Sequence, residues 1–519
     1  MKRDKVITLS LISGIVGSLL LGILLFFQIV IDDGFIFFKY GYNLIQHGVW
    51  SWSTNGKPIE AYTSFIYALF TIFPYLLNVP PHIFIKIIGL FILLWMLYRI
   101  YTKIASKKIA LFALLILVTN WQVYVHTFSG LETILWVYLL IESFILVNKE
   151  QISVKQHWIL WFLCFALALT RPEAVIYSAF YFWYLFFHRK IKFQILPIVV
   201  VGIIGLIYFF ARYAYFGLLF PLPFYHKVMD NQFGYLAFFF NLYTSWHYLV
   251  CAGLILFLFR KYKPVFYLGL LSFFIFFGLY GKSFLVMNFA DRFPFQLFVP
   301  FVLFALLSIE KFSKVDRIKI MMVAGFLNLI ILSKGLYNEN FIELASITNN
   351  AGSAFFVPRS HYLLAKNINK IKNIEQKDIH ILFGDAGVFP HYVKATCHDY
   401  NGLTDPYFAK HKLSQAYVDS AHADVILIGG ANANKDLFVK DLSNCKLIYN
   451  MVDKNPDFEY LGYTICRENG YYVHVYVRKS AKEYSDLKTA LNNGIQESAN
   501  AIFRIKRFLK FAYLDMDNI

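Results

Sequence analysis

Long apolar runs separated by short charged loops make up the first two thirds of the chain. A helix needs roughly 20 apolar residues to cross a bilayer, and the first run, about 6–31, reaches that length without a charge after Lys5. This run is also too long for the apolar core of a signal peptide. The pattern predicts roughly eleven membrane helices, at about 6–31, 82–101, 108–126, 131–148, 157–170, 174–188, 193–211, 235–259, 264–281, 293–309 and 319–334.

The pattern changes to that of a soluble domain at about residue 340. Helical stretches such as 360–372 alternate with short β-type runs, which lie at 379–383, 424–428, 446–449 and 471–477. This alternation is typical of a small α/β domain. We therefore predict three parts: a transmembrane domain (1–338), an α/β domain (339–480) and a basic amphipathic tail (481–519). Within the tail, 501–513 is expected to lie on the membrane surface, to form a solvated helix or to pack as an arm.

Composition agrees with an integral membrane protein. Of the 519 residues, 58% are hydrophobic and 16% charged, and the mean hydropathy is +0.53; soluble proteins of this length are about a quarter charged. The formal charge of +17 has an ordinary explanation in the basic loops that face the cytoplasm. We expect no nucleic-acid partner, because no basic patch lies on a soluble domain of its own.

The basic clusters also predict the topology. With the N-terminus in the cytoplasm, each dense Lys/Arg cluster falls on the cytoplasmic face, provided that 60–79 is a re-entrant or interfacial helix and not a span. An odd number of spans then makes the C-terminal α/β domain extracytoplasmic. The first outer loop comprises residues 32–81. This loop and the later outer loops carry mixed polar and acidic residues, which a loop that only reverses the direction of the chain would not need. We therefore expect any chemistry at the outer face.

Asp32 and Asp33 stand where the first apolar run ends. Two adjacent carboxylates are costly to desolvate, so they should face water or a polar cavity. Such an acid can take a proton from a hydroxyl nucleophile, and a carboxylate pair can also hold a divalent cation, here Mg or Mn, beside a phosphate. The alternative is a helix cap or a simple solvation signal.

Further candidates lie at the starts of other helices. Glu60 and Tyr62 precede the 60–79 segment, where the alternative is an ordinary helix start. Glu132 precedes a span, where an acid also suits the helix dipole. Arg171 and Glu173 flank a proline at a helix junction. An Arg at an outer membrane edge can bind phosphate bidentately.

The loop 212–227 combines aromatic residues, two prolines and cations. Arg212, Tyr225, His226 and Lys227 can cradle a polyprenyl-phosphate head group, or the loop can serve as an interfacial aromatic belt. Arg292 opens the next span and is another phosphate candidate, with snorkelling as its alternative.

The α/β domain contributes one candidate acid. Asp385 lies in a Gly-Asp-Ala-Gly loop that follows a predicted strand, and loops after strands are where α/β domains bind ligands. The five cysteines show no metal-binding spacing. One disulfide among Cys397, Cys445 and Cys466 is possible in an extracytoplasmic domain, and the sequence does not choose the pair.

The order of these motifs resembles the GT-C glycosyltransferases of the bacterial cell envelope, and within them most closely the terminal arabinofuranosyltransferase-like group. The resemblance covers about residues 1–410. It is carried by Asp32-Asp33-Gly-Phe-Ile-Phe-Phe-Lys-Tyr, Glu60-Ala-Tyr62-Thr-Ser64, Ser129-Gly-Leu-Glu-Thr133, Arg171-Pro-Glu173, Tyr215-Phe-Gly217 with Pro223-Phe-Tyr-His-Lys227, Arg292-Phe, Gly384-Asp-Ala-Gly387 and Gly402-Leu-Thr-Asp-Pro406.

The resemblance implies a polyprenyl-phosphate-linked sugar donor, a glycan or glycolipid acceptor, and a site in the bacterial cytoplasmic membrane. Asp32 or Asp33 would be the general base of an inverting transfer. Arg171, Lys227 and Arg292, inside matched motifs, and Arg212, by position, would offset charge on the departing phosphate. A divalent cation, if any, would be held by the two aspartates.

Departures from the family pattern bear on the sugar. Ala61 and Ala174 stand where glycine is expected, and Ser64 stands where asparagine is common; none removes a charge. The alternative function is a non-catalytic protein that binds a lipid-linked sugar or assists envelope assembly on the same fold, since fold does not determine function.

Overall fold

The computed structural model describes residues 2–505 apart from 28, 55, 193, 230–233, 282–287, 310–311, 338–358, 410, 431, 435–442 and 468–470. Its first part is helical. The helices are α1 Lys2–Phe26, α2 Gly34–His47, α3 Phe65–Phe70, α4 Ile72–Leu76, α5 Pro81–Lys103, α6 Lys107–Thr119, α7 Trp121–Phe128, α8 Thr133–Val147, α9 Val154–Thr170, α10 Ala174–Trp183, α11 Ile195–Phe216, α12 Leu222–Met229, α13 Gly234–Phe259, α14 Lys263–Ile275, α15 Arg292–Leu307 and α16 Lys314–Tyr337.

Each of the predicted apolar runs forms a helix. Six of the described helices are long and apolar enough to cross a membrane, and α6 with α7 adds a seventh if this pair, bent by 66°, is one span. The bend lies at Asn120, whose side chain accepts a hydrogen bond from the backbone N–H of Gln122 (3.0 Å) and so starts a new helix. The other predicted spans are α8, α9, α10 and α16.

The segment predicted to be re-entrant or interfacial is broken at Thr71. Its two short helices, α3 and α4, would together extend about 18 Å, less than the roughly 30 Å of a bilayer core. The Thr71 hydroxyl donates to the carbonyl of Phe37 (3.0 Å). A Cβ on Gly41 would lie 2.0 Å from the Thr71 carbonyl oxygen, so the glycine lets α2 pack directly against the break.

The C-terminal part is built on a five-stranded mixed sheet with strand order β2-β1-β3-β5-β4. β1 pairs in parallel with β2 and β3, and β5 pairs antiparallel with β3 and β4. The strands are β1 His380–Phe383, β2 Thr396–Asp399, β3 Val425–Gly430, β4 Phe458–Arg467 and β5 Tyr471–Arg478. The helices are α17 Arg359–Asn369, α18 Val388–Tyr392, α19 Gln415–Ser420, α20 Ser443–Val452 and α21 Tyr484–Ile505.

Helices cover both faces of this sheet. Leu364 of α17 and Leu491 of α21 share one core with inward-facing residues of the strands. Because α21 belongs to this core, the α/β domain continues beyond residue 480, where the predicted tail begins. Residues 506–519 of that tail lie outside the described residues.

One predicted strand is wrong. Residues 446–449 lie within α20, which the β-type composition of Lys-Leu-Ile-Tyr did not indicate. Cys445, Ile448, Tyr449 and Val452 are buried together against the second face of the sheet. Their spacing of three and four is that of one helix face, and this longer pattern outweighs the local β propensity. Strands β2 and β4 were not predicted.

Candidate active site

Asp32 of the first outer loop is held by the C-terminal domain. The backbone N–H of Val388 donates to Asp32 Oδ1 (2.8 Å), and the backbone N–H of Gly387 donates to Asp32 Oδ2 (3.2 Å). A Cβ built on Gly387 would lie 2.1 Å from the Asp32 carbonyl oxygen and 2.4 Å from Asp32 Oδ2. Only glycine therefore allows this approach of the two chain segments.

Asp32 also neighbours a charged cluster of the C-terminal domain. The buried His361 places Nδ1 3.9 Å from Asp32 Oδ1 and Nε2 3.4 Å from Asp385 Oδ2. The hydroxyl of Tyr471 donates to the same Asp385 oxygen. Burial raises the pKa of Asp385, His361 opposes this shift, and Asp32 adds to it. The predicted candidates Asp32 and Asp385 are thus brought together.

Helix α2 extends this contact between the domains. The ring of Phe35 lies 5.4 Å from that of His391, and Lys39 Nζ donates to the carbonyl of Pro390. Lys39 also lies 4.6 Å from the centroid of the Trp52 ring. Burial lowers the pKa of Lys39. The first outer loop is therefore fixed by the C-terminal domain as well as by the membrane helices.

On its other side the aspartate pair rests on the turn before α8. The backbone N–H of Ile31 donates to the carbonyl of Ser129 (2.8 Å). Gly130 has a φ of +80°, a conformation that favours glycine. A Cβ on Gly34 would lie 3.1 Å from the carbonyl oxygen of Gly130. Through this tight packing the Asp32-Asp33 turn lies against Gly130, which is two residues before Glu132 in the sequence.

Glu132 joins two arginines. Its Oε1 accepts from Arg171 Nη1 (2.7 Å) and from Arg292 Nη2 (2.9 Å). Arg171 Nη2 also donates to Glu173 Oε1 (3.0 Å), which accepts from the Tyr280 hydroxyl as well. These four predicted candidates, Glu132, Arg171, Glu173 and Arg292, form one buried network with formal charges that sum to zero.

The network keeps its acids ionised and leaves donors unused. Burial alone would raise the pKa of Glu132, but Arg292 and Arg171 outweigh it and lower the pKa. Arg171 likewise outweighs burial and lowers the pKa of Glu173 to about 2. The Nε–H groups of Arg171 and Arg292 are buried without a hydrogen-bond partner among the described residues. Each can therefore donate to an added anion.

The backbone before Arg292 is strained. Ala290 and Asp291 have φ values of +47° and +51°, which non-glycine residues rarely adopt. Asp291 Oδ2 accepts from Gln122 Nε2 (2.9 Å) and lies 3.2 Å from His247 Nε2. Such strain persists where the surroundings determine the conformation, and it is common at functional sites.

A second buried ion pair joins Glu60 of the first outer loop to Arg212 of α11. Arg212 Nε lies 3.0 and 2.8 Å from the two Glu60 carboxylate oxygens. Arg212 Nη1 donates to the carbonyl of Leu219 (2.8 Å). Burial raises the pKa of Glu60, and Arg212 opposes this shift. These two candidates are paired with each other.

The remaining candidates are placed as follows. The Tyr62 hydroxyl accepts from Trp50 Nε1 (2.9 Å), and the Tyr225 hydroxyl accepts weakly from the backbone N–H of Phe220 (3.4 Å). His226 and Lys227 belong to α12, and their side chains lie outside the described residues.

Sequence reasoning missed three polar residues at the site. Each of them contacts a candidate acid that is distant in the sequence; they are His361, Tyr471 and Tyr280. No local sequence motif indicates these contacts. A fourth, Lys86, is buried on the spanning helix α5 with Nζ 5.3 Å from the centroid of the Phe27 ring. An isolated Lys within an apolar run is a signal that could have drawn attention to it.

Asp32 and Asp33 are the acids that the sequence offers as ligands of a divalent cation. Both oxygens of Asp32 accept backbone N–H groups. Across the described residues no group of three or more His, Cys, Asp or Glu side chains could hold a metal ion. Cys397 and Cys445 are free thiols, and the Cys466 side chain lies outside the described residues.

The fold is similar to that of a solved structure. ArnT from Cupriavidus metallidurans, bound to undecaprenyl phosphate, aligns at 11% identity and a TM-score of 0.52 over 89% of this chain and 97% of that chain. Its apo form aligns over the same shares at 9% identity and a TM-score of 0.49. No family model and no curated protein matches the chain. The predicted fold class, a polytopic helical domain followed by an α/β domain, is confirmed.

Proposed function

We propose that this chain transfers a sugar from a polyprenyl-phosphate donor to a hydroxyl of an envelope glycan or glycolipid. The observation that carries the proposal is the position of Asp32-Asp33, which lie between the C-terminal domain and the turn that leads to the Glu132–Arg171–Arg292 network. A candidate base and two phosphate-binding cations thus lie around one loop. The fold similarity to a protein solved with bound undecaprenyl phosphate supports a lipid-phosphate ligand.

The reaction requires a base and stabilisation of the leaving group. A carboxylate of the Asp32-Asp33 pair takes the proton of the acceptor hydroxyl while the hydroxyl oxygen forms a bond to the anomeric carbon of the sugar. The bond from that carbon to the phosphate oxygen breaks with its electron pair, and polyprenyl phosphate leaves. Attack from the face opposite the phosphate inverts the anomeric centre.

Arg171 and Arg292 suit the leaving phosphate. Glu132 holds both guanidinium groups by their terminal nitrogens, so each retains the Nε–H described above for a phosphate oxygen. Fixed donors of this kind stabilise charge that develops on a leaving group without reorganisation. No step is assigned to a metal ion.

The identity of the sugar and the membrane in which the protein lies are also part of this proposal. The resemblance of the motifs leaves the donor open between a hexosyl and a pentosyl polyprenyl phosphate. The charge pattern favours a site at the outer face of the membrane, and the resemblance favours a bacterial cytoplasmic membrane. The departures at Ala61, Ser64 and Ala174 leave the sugar and the acceptor to experiment.

A transfer assay tests the proposal. Purified protein in nanodiscs is incubated with labelled polyprenyl-phosphate pentoses and hexoses and an envelope glycan extract. The wild type is compared with the double variant Asp32→Ala/Asp33→Ala. Asp378→Asn, which alters a carboxylate that is 93% exposed, serves as a control for loss of charge alone.

Label that moves to the acceptor with the wild type and the control, and not with the double variant, supports a glycosyltransferase and identifies its donor. A donor that binds the wild type tightly and is never transferred would instead favour the non-catalytic binding protein. Full transfer by the double variant would remove the aspartates from the mechanism.

A further inference from the structure

Glu132 uses one of its two carboxylate oxygens for both of its arginines. Oε1 accepts from Arg171 Nη1 and from Arg292 Nη2. No other residue in the described part of the chain donates a hydrogen bond to Oε2. The Glu132 side chain is 1% exposed, so bulk water does not reach this oxygen. A buried acceptor in this state costs free energy until a donor reaches it.

Two other glutamates that pair with arginine use both of their oxygens. Arg212 contacts both oxygens of Glu60, and Arg99 contacts both oxygens of Glu142 at 2.5 and 2.7 Å. Among the described glutamates that pair with arginine, unused oxygens are found only in the four-residue network at the site, where Glu173 Oε2 also has no partner. The unused oxygens are thus a property of the site and not of acid–arginine pairs in this chain.

The network therefore contains unused donors as well as unused acceptors. The Nε–H groups of Arg171 and Arg292 are buried without a hydrogen-bond partner among the described residues. The hydroxyl of Thr133, next to Glu132 in the sequence, is buried in the same state. The guanidinium carbons of the two arginines lie 5.8 and 5.7 Å from the centroid of the Phe293 ring, so the unused donors lie near each other. The oxygens of an ionised phosphate only accept, so the carboxylate oxygen needs a ligand that also donates.

We propose that Glu132 Oε2 accepts a hydrogen bond from the hydroxyl next to the anomeric carbon of the donor sugar, while the Nε–H groups of Arg171 and Arg292 bind its phosphate. This inference rests on the proposed function and makes Glu132 a specificity-determining residue for the sugar. That hydroxyl is the one nearest to the phosphate in a glycosyl phosphate. The donor is therefore a hexose or pentose with a free hydroxyl at this carbon, and not a 2-acetamido sugar.

The contact suits the transition state as well as binding. Positive charge develops on the sugar ring as the bond to the phosphate breaks, and hydrogen bonds from this hydroxyl strengthen in such a transition state. A site built to pair with a hydroxyl also rejects an analogue that lacks it, because the buried acceptor is then left unpaired. Glu132 thus connects recognition of the sugar with the two arginines that stabilise the leaving phosphate.

Removal of the hydroxyl from the donor tests the contact without a change in the protein. Wild-type protein in nanodiscs is given the polyprenyl-phosphate sugar that the transfer assay selects, its 2-deoxy counterpart, and polyprenyl phosphate without a sugar. The 2-deoxy donor should lose about 30-fold or more in kcat/KM, the effect of one hydrogen bond to a charged group. Equal kcat/KM values for the two donors, or selection of a 2-acetamido sugar, would overturn the inference and leave Oε2 to an ordered water molecule.

Glu132→Gln separates contact with the sugar from a structural role. The amide oxygen can take the place of Oε1, and the NH₂ group then replaces Oε2, so the charged acceptor is lost. The penalty for the 2-deoxy donor should shrink to about fivefold or less, the range of a hydrogen bond without a charge. The variant should bind the polyprenyl-phosphate sugar more weakly but not polyprenyl phosphate, because loss of a negative charge beside two arginines favours an anion. A general disturbance of the network would weaken both.

Glu142→Gln is the matched control, because it removes the same charge from an arginine pair on α8, the helix that Glu132 precedes. It should change none of these ratios. A folded Glu132→Gln variant that keeps the full penalty for the 2-deoxy donor would overturn the role of Glu132. If the wild type binds the polyprenyl-phosphate sugar and transfers none, the proposed reaction fails. The ratio of the Kd values for this lipid and its 2-deoxy counterpart then still decides whether the hydroxyl is bound.

Discussion

Glu60 and Arg212 form a buried ion pair across 152 positions of the chain. The guanidinium contacts both carboxylate oxygens through Nε, and its Nη2 lies 2.8 Å from Oε2. The backbone N–H of Leu222 also donates to the Glu60 carbonyl (3.1 Å). The pair thus joins the first outer loop to the end of α11 and the start of α12.

The first prediction concerns this pair. Removing either partner leaves a buried charge without its counterion, which costs about 3–5 kcal/mol. Glu60→Ala and Arg212→Ala should each destabilise the protein strongly, and the double variant should be less destabilised than the sum of the two. A double-mutant cycle on thermal unfolding in detergent should give a coupling of about 1–3 kcal/mol. Additive losses would mean that the pair contributes no coupling.

The membrane helices could be predicted because the signal is local. The length of an apolar run indicates whether it can cross the membrane, and the basic loops indicate where one run ends and the next begins. The same reasoning failed at 446–449, where four residues suggested a strand while burial at Cys445, Ile448 and Val452 required a helix. The predicted spans at α8, α9 and α10 are apolar helices of 10–17 residues, shorter than the roughly 20 residues that cross a bilayer.

The candidate site was predicted as a set of residues and not as a set of contacts. Each acid and arginine stood in a short motif that drew attention to it. That Glu132 bridges Arg171 and Arg292, or that Asp32 meets Gly387, depends on chain segments 39 to 355 positions apart. Such pairings follow from the packing of whole helices and domains, which no local pattern encodes.

The second prediction concerns Glu132. Its removal would leave Arg171 and Arg292 facing each other with Glu173 as their remaining acid in the network, so like-charge repulsion adds to the lost pairing. Glu132→Ala should lower the free energy of unfolding by about 3–5 kcal/mol, and Glu132→Gln should lower it less because its carbonyl still accepts a hydrogen bond. Thermal unfolding of the purified variants in detergent measures both.

Glu142 offers a matched control for that experiment. It pairs with Arg99, whose side chain is 27% exposed, whereas the Arg171 and Arg292 side chains are 5% and 10% exposed. Water can solvate Arg99 after the substitution Glu142→Ala, so this variant should lose about 1 kcal/mol or less. Equal losses in the two alanine variants would show that burial does not set the strength of these pairs.

The third prediction concerns Arg292 and rests on the proposed transfer reaction. Lysine has no planar fork, so it cannot hold Glu132 with one nitrogen and present a second nitrogen to a phosphate oxygen. Arg292→Lys should fold and should lower kcat by about 10²-fold, the usual effect of removing one fixed donor to a developing charge. Arg99→Lys, at the predicted cytoplasmic end of α5, should transfer at the wild-type rate. Wild-type kcat in Arg292→Lys would exclude this arginine from stabilising the leaving phosphate.

The last prediction concerns Asp399, buried at the end of β2. Its carboxylate accepts from the backbone N–H groups of Asn401 (2.8 Å) and Thr404 (2.9 Å), yet burial outweighs them and raises its pKa to about 7. The folded state therefore binds this proton more tightly than the unfolded state, where the pKa is about 3.9. The resulting stability is complete below pH 4 and is lost as the pH rises through about 7.

Asp399→Asn isolates this contribution, because asparagine does not titrate. The melting temperature of the wild type minus that of Asp399→Asn should be larger at pH 5 than at pH 8 and should shrink steadily between them. Asp419→Asn, at an exposed position of α19, serves as the control for the removal of one carboxylate. A gap that widens as the pH rises would mean that the N–H donors, and not burial, set the protonation of Asp399, since an ionised carboxylate would then be the stabilising form.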